Sequence, residues 1–260
     1  MISTRQLRVE SRSGGQTRTL VEQLDWTVNR GECWAVLGPN GTGKTRLLHT
    51  VAGLLPAAAG EVMFAGRGVS AWSRRALARE RALLFQEESA SYWGTVADYV
   101  ALGALPHGRA ATSDPTVLAA LRRTALESLA ERAFTALSGG ERQRARIAQS
   151  LAQRPACLLW DEPLNHLDLR HQASMLALAR QLADEGRAVV LTLQDPEQAR
   201  HTCTHVLLLY HSGRFRQGRT IDLLDPATVR ELYALDLPAP QNPLPLALRA
   251  FTPDSMADPH

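Results

Sequence analysis

The amino-acid sequence predicts an α/β fold in which helices cover both faces of a mostly parallel sheet. Apolar runs of strand length, such as residues 33–37 and 156–160, alternate with longer segments of helical pattern. Glycine or proline bounds several of these runs, as expected where buried strands end in turns. Hydrophobic residues make up 45% of the 260 residues, which is enough for one large core.

The elements are expected in a definite order. Residues 5–30 alternate in polarity around Gly14 and Gly15, which predicts short antiparallel strands joined by a turn. A buried strand over 33–37 precedes a glycine-rich loop and a helix over about 44–55. The elements expected after these are a strand over 60–66, a helix over 139–153, a strand over 156–160, a helix over 169–185, and strands over 187–193 and 206–210.

The composition changes between about residues 86 and 137, where alanine, leucine and arginine dominate. Helical patterns over 96–105 and 116–129 are broken by Pro106, Gly108 and Pro115, which predicts a helical insert. The last stretch, residues 238–260, is rich in proline and is expected to form a loosely held tail.

Charge and hydropathy narrow the class of protein. The formal net charge is only +3, which does not require a nucleic-acid partner. No signal sequence is recognised, and no apolar stretch approaches the ~18 residues that would cross a bilayer. Three scattered cysteines suit a reducing compartment. A cytosolic chain is therefore expected, for which any membrane role depends on a partner.

A phosphate-binding loop is predicted between the strand over 33–37 and the helix that follows. The segment fits G-x-x-x-x-G-K-[ST] and comprises Gly38, Pro39, Asn40, Gly41, Thr42, Gly43, Lys44 and Thr45, with Arg46 next along the helix. Glycines let successive N–H groups point at phosphate oxygens, and the helix N-terminus favours an anion. Lys44 is expected to reach the β- and γ-phosphates, and the Thr45 hydroxyl to ligate Mg²⁺.

Two carboxylates follow the apolar run over 156–160. In a parallel sheet this position lies at the carboxyl edge, where ligands usually bind. Asp161 is expected to hold Mg²⁺, usually through water, and Glu162 to polarise an attacking water molecule. The pair alone is a moderate signal, but it becomes strong when joined to the phosphate loop.

Residues 137–143, with the sequence Leu-Ser-Gly-Gly-Glu-Arg-Gln, complete a set of motifs that resembles the ATP-binding cassette (ABC) ATPases. The resemblance extends from about residue 7 to residue 232. It implies a P-loop NTPase (RecA-like) core with a small antiparallel β subdomain and a helical ABC-specific subdomain. In the family, the helix start formed by Ser138, Gly139 and Gly140 contacts the γ-phosphate of ATP held by a second protomer. Two copies of the chain are therefore expected to enclose MgATP between them.

The resemblance also divides the chain and assigns further residues. It implies one cassette over residues 1–236, with the β subdomain and P-loop core over about 1–86, the helical insert over about 87–143 and the core continued over about 144–236, followed by a tail over 237–260. Gln86 resembles the glutamine that senses Mg²⁺ and the γ-phosphate, so Thr45, Gln86 and Asp161 form the expected metal set. Residues 164–168 match the D-loop at the dimer interface. Residues 91–93 would line a groove for a membrane subunit, although Tyr92 and Trp93 are as readily ordinary core aromatics.

The sequence departs from the family pattern at two positions. The family places a histidine after the strand over 187–193, where this chain has Gln194. An amide still donates to a phosphate oxygen but cannot become positively charged, so slowed hydrolysis with intact ATP binding is expected. The family also places an aromatic residue in the first strand to stack on adenine, where this chain has Ser11 or Arg12. Arg12 or Arg18 could stack as a guanidinium plane, or both could be solvated.

The resemblance is strongest to the ATP-binding subunits of importers for iron siderophores, haem and vitamin B12, and residues 200–210 lean towards the B12 type. It implies two integral-membrane permease subunits, an extracytoplasmic substrate-binding protein and a place on the inner face of the plasma membrane. The alternative is an ABC-type ATPase with weakened turnover that acts as a nucleotide-dependent regulator. Neither reading needs nucleic acid.

Two other features have plainer interpretations. His201 and His205 are four residues apart, as metal ligands on a helix would be, but a solvated helix face is the favoured interpretation. Arg142, Arg144 and Arg146 form a basic run that follows the signature motif on its helix and needs no nucleic acid.

Overall fold

The computed structural model describes residues 1–86, 92–108 and 111–234. In chain order the strands are β1 (Ile2–Ser13), β2 (Gln16–Val28), β3 (Cys33–Leu37), β4 (Ala59–Phe64), β5 (Arg67–Gly68), β6 (Arg81–Leu84), β7 (Cys157–Trp160), β8 (Ala188–Thr192), β9 (His205–Leu209) and β10 (Phe215–Arg219). The helices are α1 (Lys44–Val51), α2 (Arg74–Glu80), α3 (Val96–Ala101), α4 (Pro115–Arg123), α5 (Gly139–Ala152), α6 (Leu169–Asp184), α7 (Pro196–Thr202), α8 (Thr220–Leu223) and α9 (Pro226–Tyr233).

The larger sheet has six strands in the order β10-β9-β3-β8-β7-β6. Its strands run parallel, except that β10 pairs antiparallel with β9 at one edge. Both faces of the sheet are buried, which explains why the strands read as continuous apolar runs. Alternate residues serve two cores: Ala35 packs with the helical part of the molecule, whereas its neighbour Val36 packs towards the smaller sheet. The predicted mostly parallel sheet is confirmed.

The smaller sheet is antiparallel, with the order β2-β1-β4-β5. Strands β1 and β2 form a long hairpin whose turn contains Gly14 and Gly15, so the predicted antiparallel pair is confirmed although its strands are longer than expected. Ser11 lies opposite Arg18 near the tip of the hairpin. Trp26 and Phe64 on this sheet are fully buried against a core that includes residues of α1. That packing holds the hairpin beside the loop between β3 and α1.

The helices between β6 and β7 are shorter than the sequence predicts. Helix α3 begins at a capping box between Thr95 and Asp98 and passes into a 3₁₀ segment that contains Pro106. Helix α4 begins with Pro115 at its first turn, as a proline without an N–H permits. It ends at Arg123 because Ala125 adopts a positive φ of 53° and turns the chain. The helical pattern over 116–129 therefore spans one helix and a separate 3₁₀ turn.

The interpretation of His201 and His205 as one solvated helix face is wrong for His205. Helix α7 ends at Thr202, and His205 is the first residue of β9. The His205 ring stacks on Trp34 with centroids 4.7 Å apart, whereas His201 stays exposed near Glu197. Within the residues that the structure describes, no group of three or more His, Cys, Asp or Glu side chains could hold a metal ion.

The parallel strands bring several loops to one edge of the sheet. The segments that follow β3, β6, β7 and β8 all begin at the carboxyl ends of neighbouring strands, where a crevice is expected. The predicted tail over 237–260 lies outside the described residues. Among the helices that are described, none has the length and apolarity needed to cross a membrane.

Candidate functional site

A cavity of about 660 Å³ lies between this sheet edge and the β1–β2 hairpin. The volume falls within the ~300–1,000 Å³ typical of small-molecule sites. Its lining combines the loop after β3, helix α1 with Leu55 after it, four residues of the hairpin, and one residue each from the loops after β6 and β7. The lining residues are Ser11, Gln16, Arg18, Leu20, Asn40, Gly41, Gly43, Lys44, Thr45, Arg46, His49, Leu55, Gln86 and Glu162.

The loop over 38–45 has a shape that only glycine permits at two points. A Cβ on Gly38 would lie 2.4 Å from the carbonyl oxygen of Leu209, and a Cβ on Gly43 would lie 2.8 Å from the Leu20 side chain. Thr42 is buried beneath the loop and donates to the carbonyl of Pro39 at 2.9 Å. These contacts fix the loop from below, so that its other residues face the cavity.

Lys44 is buried at the first position of α1. Its Nζ donates to the carbonyls of Gly38 at 2.6 Å and Pro39 at 3.2 Å, so the ammonium group lies inside the curl of the loop. Burial lowers the pKa of Lys44, and the carboxylates of Glu162 and Asp161 oppose that shift by favouring the cation. No side chain caps the start of α1, so its first N–H groups point to the cavity without a side-chain acceptor.

Asp161 is fully buried, and its side chain accepts one hydrogen bond from Thr192. The Thr192 hydroxyl donates to Oδ1 of Asp161 at 2.6 Å and accepts the backbone N–H of Glu162 at 2.7 Å. The second oxygen of Asp161, Oδ2, is buried without a hydrogen-bond partner among the described residues. A buried carboxylate oxygen without a partner, close enough to Lys44 to favour its cation, is suited to a hard cation or its bound water, so the residues present fit Mg²⁺.

A chain of side-chain hydrogen bonds joins the metal set to Glu162. The Thr45 hydroxyl donates to Oε1 of Gln86 at 3.3 Å, and Nε2 of Gln86 donates to Oε2 of Glu162 at 3.1 Å. The same Glu162 oxygen accepts from Nδ2 of Asn165 at 2.7 Å. Glu162 has a positive φ of 48°, which is uncommon for a residue with a side chain. The structure thus brings Thr45, Gln86 and Glu162 together, as expected for one site.

Gln194 lies in the loop between β8 and α7 and lines a second cavity of about 220 Å³. Glu162, Asn165 and Thr192 line the same cavity. The structure therefore places Gln194 at the same small cavity as Glu162, the carboxylate predicted to activate water.

The predicted signature residues lie outside the lining of the 660 Å³ cavity. Ser138 caps α5 in a capping box with Glu141, in which the Ser138 N–H donates to Glu141 Oε2 at 2.7 Å and the Glu141 N–H donates to Ser138 Oγ at 3.3 Å. These bonds lower the pKa of Glu141. Ser138 and Gly139 are exposed, and both glycines of the motif lie against His166 of the predicted D-loop. None of Ser138, Gly139 and Gly140 lines the 660 Å³ cavity.

The hairpin supplies the end of the cavity opposite the phosphate loop. Ser11 and Arg18 line it, whereas Arg12 does not. The Nη2 atom of Arg18 donates to the carbonyl of His211 at 3.2 Å and lies 3.2 Å from Nδ1 of the same histidine. Of the two arginines considered as base platforms, only Arg18 is placed at the cavity.

The aromatic residues after Gln86 separate into two environments. Tyr92 packs edge-on against Tyr99 and Phe134, as a core aromatic does. Trp93 is 87% exposed. Ser91 lies outside the described residues. The interpretation as a core aromatic thus holds for Tyr92 but not for Trp93.

The basic run after the signature serves the protein's own backbone. Arg142 donates to the carbonyl of Leu137, Arg144 to those of Thr124 and Ala125, and Arg146 to that of Phe85. The basic run therefore has a structural role within the chain, since each of its three arginines donates to a backbone carbonyl.

Sequence reasoning missed several residues of this site. Thr192 ends an apolar strand and carried no motif, although a lone hydroxyl at the carboxyl end of a buried strand is a usable signal. Asn165 is expected only as part of the D-loop match over 164–168, and that match does not predict its hydrogen bond to Glu162. His211 and Tyr233 reach the site from distant parts of the chain, and no spacing rule could have found them.

The chain is similar to known proteins over most of its length. The chain matches the family described as ABC transporter over residues 21–165. It is 37% identical over 243 residues to the hemin import ATP-binding protein HmuV of Hahella chejuensis, covering 89% of this chain and 94% of that protein. It is 44% identical over 204 residues to HmuV of Streptomyces coelicolor, covering 77% and 72%. It is 32% identical over 241 residues to the iron(3+)-hydroxamate import ATP-binding protein FhuC of Bacillus subtilis, covering 90% and 88%.

Solved structures show the same fold. The chain superposes with a TM-score of 0.76 and 29% identity on a transporter reported as a metal-chelate type ABC transporter in an inward-facing conformation, covering 90% of this chain and 89% of that one. It superposes with a TM-score of 0.76 and 25% identity on the dimeric bacterial ABC transporter cassette MJ0796, covering 85% and 99%. The P-loop cassette architecture expected from the sequence is therefore confirmed.

Proposed function

The chain belongs to the ABC transporter family, and from that premise we propose that it is the ATP-hydrolysing subunit of an importer for haem or another iron chelate. The family binds and hydrolyses ATP. The observation that carries the proposal is the meeting of the Lys44 loop and the hydrogen-bonded Glu162 at one cavity, with the buried, unpaired Asp161 oxygen belonging to a carboxylate that acts electrostatically on Lys44. The alternative of a regulator with weakened turnover gains no support from the relatives reported above.

Binding of ATP is assigned to the phosphate loop. Lys44 already points its ammonium at carbonyl oxygens inside the loop, and phosphate oxygens would replace them as acceptors at the same place. The uncapped N-terminus of α1 adds N–H donors and a favourable field for the anion. Asn40, Gly41, Gly43 and Arg46 line the same wall, and Arg18 lies at the base end of the cavity.

Mg²⁺ is proposed to be held by the Thr45 hydroxyl, the Gln86 carbonyl oxygen and, through water, Asp161. When bound, the ion would neutralise charge on the phosphates. Thr192 keeps Asp161 oriented by donating to Oδ1, which leaves Oδ2 free for the ion's shell. Gln86 links this metal set directly to Glu162.

Hydrolysis is assigned to Glu162 and Gln194. Glu162 would accept a proton from the attacking water, with Gln86 and Asn165 holding its carboxylate in place. Gln194, on the far side of the smaller cavity, would donate its amide N–H to the γ-phosphate. Because an amide carries no charge, turnover is proposed to be slow relative to a cassette with histidine there.

A second copy of the chain is proposed to complete the site. Ser138 and Gly139 are exposed and Gly140 is partly exposed at a helix start, and none of the three lines the 660 Å³ cavity of its own chain. The superposed cassette MJ0796 is a dimer. We therefore propose that these residues cap ATP held by the partner copy, so that ATP closes the pair and hydrolysis reopens it.

The remaining partners follow from the importer role. Two permease subunits are proposed to contact the exposed Trp93, which would place the chain on the inner face of the plasma membrane. An extracytoplasmic protein is proposed to deliver the substrate. The chain is proposed to divide as one cassette over residues 1–236 and a tail over 237–260, with the insert over about 87–143 moving when ATP binds.

Reconstitution tests this proposal. The tagged chain would be purified from the membranes of its source with its co-purifying integral-membrane proteins and placed in proteoliposomes. ATP-dependent uptake of haem, a ferric hydroxamate and cobalamin would then be measured beside Glu162→Gln. We expect uptake of one iron-containing substrate that Glu162→Gln abolishes. Uptake of none of the three, or uptake that survives Glu162→Gln, would reject the importer role.

A further inference from the structure

A single phenol contacts the loop that contains Gln194. Tyr233, the last residue of α9, donates its O–H to the carbonyl oxygen of Gln194 at 3.0 Å. The backbone N–H of Gly38, the first residue of the phosphate loop, lies near enough to the phenol oxygen of Tyr233 to favour its ionised form. The phenol thus lies between the phosphate loop and the backbone of Gln194, which shares a cavity with Glu162.

The hydrogen bond from Tyr233 to Gln194 persists at neutral pH. Burial raises the pKa of Tyr233 to about 12, although the N–H of Gly38 opposes that rise. The hydroxyl therefore remains protonated and keeps its role as a donor, which phenylalanine at this position could not supply.

The backbone at Gly38 and the backbone around Gln194 are also constrained by other contacts. Gly38 lies so near Leu209 that no side chain fits there. The loop around Gln194 is fixed on either side, because the Leu193 N–H donates to Val36 at 3.2 Å and Asp195 caps α7. Tyr233 fixes the carbonyl between these two points, and with it the direction in which the Gln194 side chain leaves the backbone.

We propose that Tyr233 is a positioning residue for ATP hydrolysis, acting through Gln194. By donating to the carbonyl of residue 194, it fixes the backbone from which the Gln194 side chain enters the 220 Å³ cavity that Glu162 also lines. The inference rests on the proposed function, since it assigns a role within that reaction. It also makes α9, which lies far from the motifs in sequence, part of the reaction centre.

The test compares Tyr233→Phe with Tyr210→Phe. Each variant loses only a hydroxyl, and the Tyr210 hydroxyl is buried with no hydrogen-bond partner in the described part of the chain. Loss of a positioning hydrogen bond should lower kcat for MgATP about fivefold, equivalent to about 1 kcal/mol of barrier, with KM changed less than about twofold. Tyr210→Phe should match the wild type. Affinity for MgADP serves as the check that each variant is folded.

Measuring the effect of Tyr233→Phe on kcat in the Gln194→Ala variant separates a positioning role from a general effect on stability. In Gln194→Ala there is no amide left to position, so adding Tyr233→Phe should change kcat no further. An unchanged kcat in Tyr233→Phe, or an equal loss in the presence and absence of Gln194, would overturn the inference while leaving the proposed function intact. A wild-type chain that hydrolyses no MgATP would overturn both.

Discussion

Asn165 donates from Nδ2 to Oε2 of Glu162 at 2.7 Å, and this bond sets the direction of the carboxylate that faces the smaller cavity. Gln86 donates from Nε2 to the same oxygen at 3.1 Å. Two amide donors on one oxygen leave the other oxygen, Oε1, as the atom available to a water molecule. The orientation of the proposed general base is therefore built into the protein before any nucleotide binds.

Removing the amide donor of Asn165 should slow hydrolysis without weakening ATP binding. Asn165→Ala is expected to lower kcat about fivefold, since one oriented hydrogen bond is lost and Gln86 remains. Asn165→Asp should be slower still, because a second carboxylate disfavours the ionised form of Glu162. Steady-state hydrolysis and MgADP affinity measure the two effects. Asn165→Asp with wild-type kcat would contradict the proposed role of this contact.

Replacing Gln194 by histidine should accelerate turnover. The imidazole can carry positive charge beside the γ-phosphate, and we expect kcat to rise about tenfold with the affinity for ATP unchanged. Gln194→Ala is the matched control and should fall below the wild type, because the amide donor is lost. If histidine gives no increase, the departure at this position does not limit the rate.

The two hairpin arginines form a natural pair for testing recognition of the base. Arg18 lines the cavity and is held by His211, whereas Arg12 does not line it. Arg18→Ala should weaken ATP binding about threefold to fivefold, as expected from loss of a cation–π contact, and Arg12→Ala should not. Titration of ATP and GTP would measure both affinity and base selectivity. Equal ATP affinities for Arg18→Ala and wild type would exclude stacking by Arg18.

Much of the fold was predictable because buried parallel strands leave a strong trace in sequence. The strand predicted over 33–37 matches β3 at both ends, since all five of its residues are apolar and buried. The strands over 156–160 and 187–193 agree to within a residue for the same reason. Strands β6 and β10 were not predicted, because β6 is only four residues long and three of the five residues of β10 are exposed and polar.

The buried thiol of Cys157 makes the free energy of unfolding depend on pH in the alkaline range. Burial raises the pKa of Cys157 from 9.0 to about 12, so the unfolded chain loses this proton at lower pH than the folded chain does. The thiol's contribution is complete below pH 9 and is lost as pH rises towards about 12, at up to about 1.4 kcal/mol per pH unit.

Urea unfolding as a function of pH measures this contribution. Between about pH 9 and about pH 10.5, the free energy of unfolding of the wild type should fall by about 2 kcal/mol more than that of Cys157→Ala. The comparison of slopes removes the constant cost of the smaller side chain and the shared titration of Tyr233. Parallel curves for the two proteins would show that Cys157 does not titrate in the unfolded state as expected.

The candidate site was predictable where it depends on local chain geometry. The phosphate loop, Asp161 and Glu162 each follow a strand directly, so sequence order alone places them at one edge. The bonds of Gln86 to Thr45 and of Asn165 to Glu162 depend on side-chain direction, which spacing does not fix. The hydrogen bond from Tyr233 to Gln194 depends on where the last described helix packs, which the sequence does not show. The prediction that His205 lies on a helix is wrong because α7 ends three residues before it.

Steady-state MgATP hydrolysis by the purified chain, measured at high protein concentration beside Glu162→Gln, tests the central claim most directly. The account predicts measurable turnover in the wild type and loss of turnover in Glu162→Gln with MgATP binding retained, because the amide cannot accept the proton of the attacking water. Turnover that survives in Glu162→Gln would contradict the assignment of Glu162 as the general base, and an inactive wild type would contradict the claim that this site hydrolyses ATP.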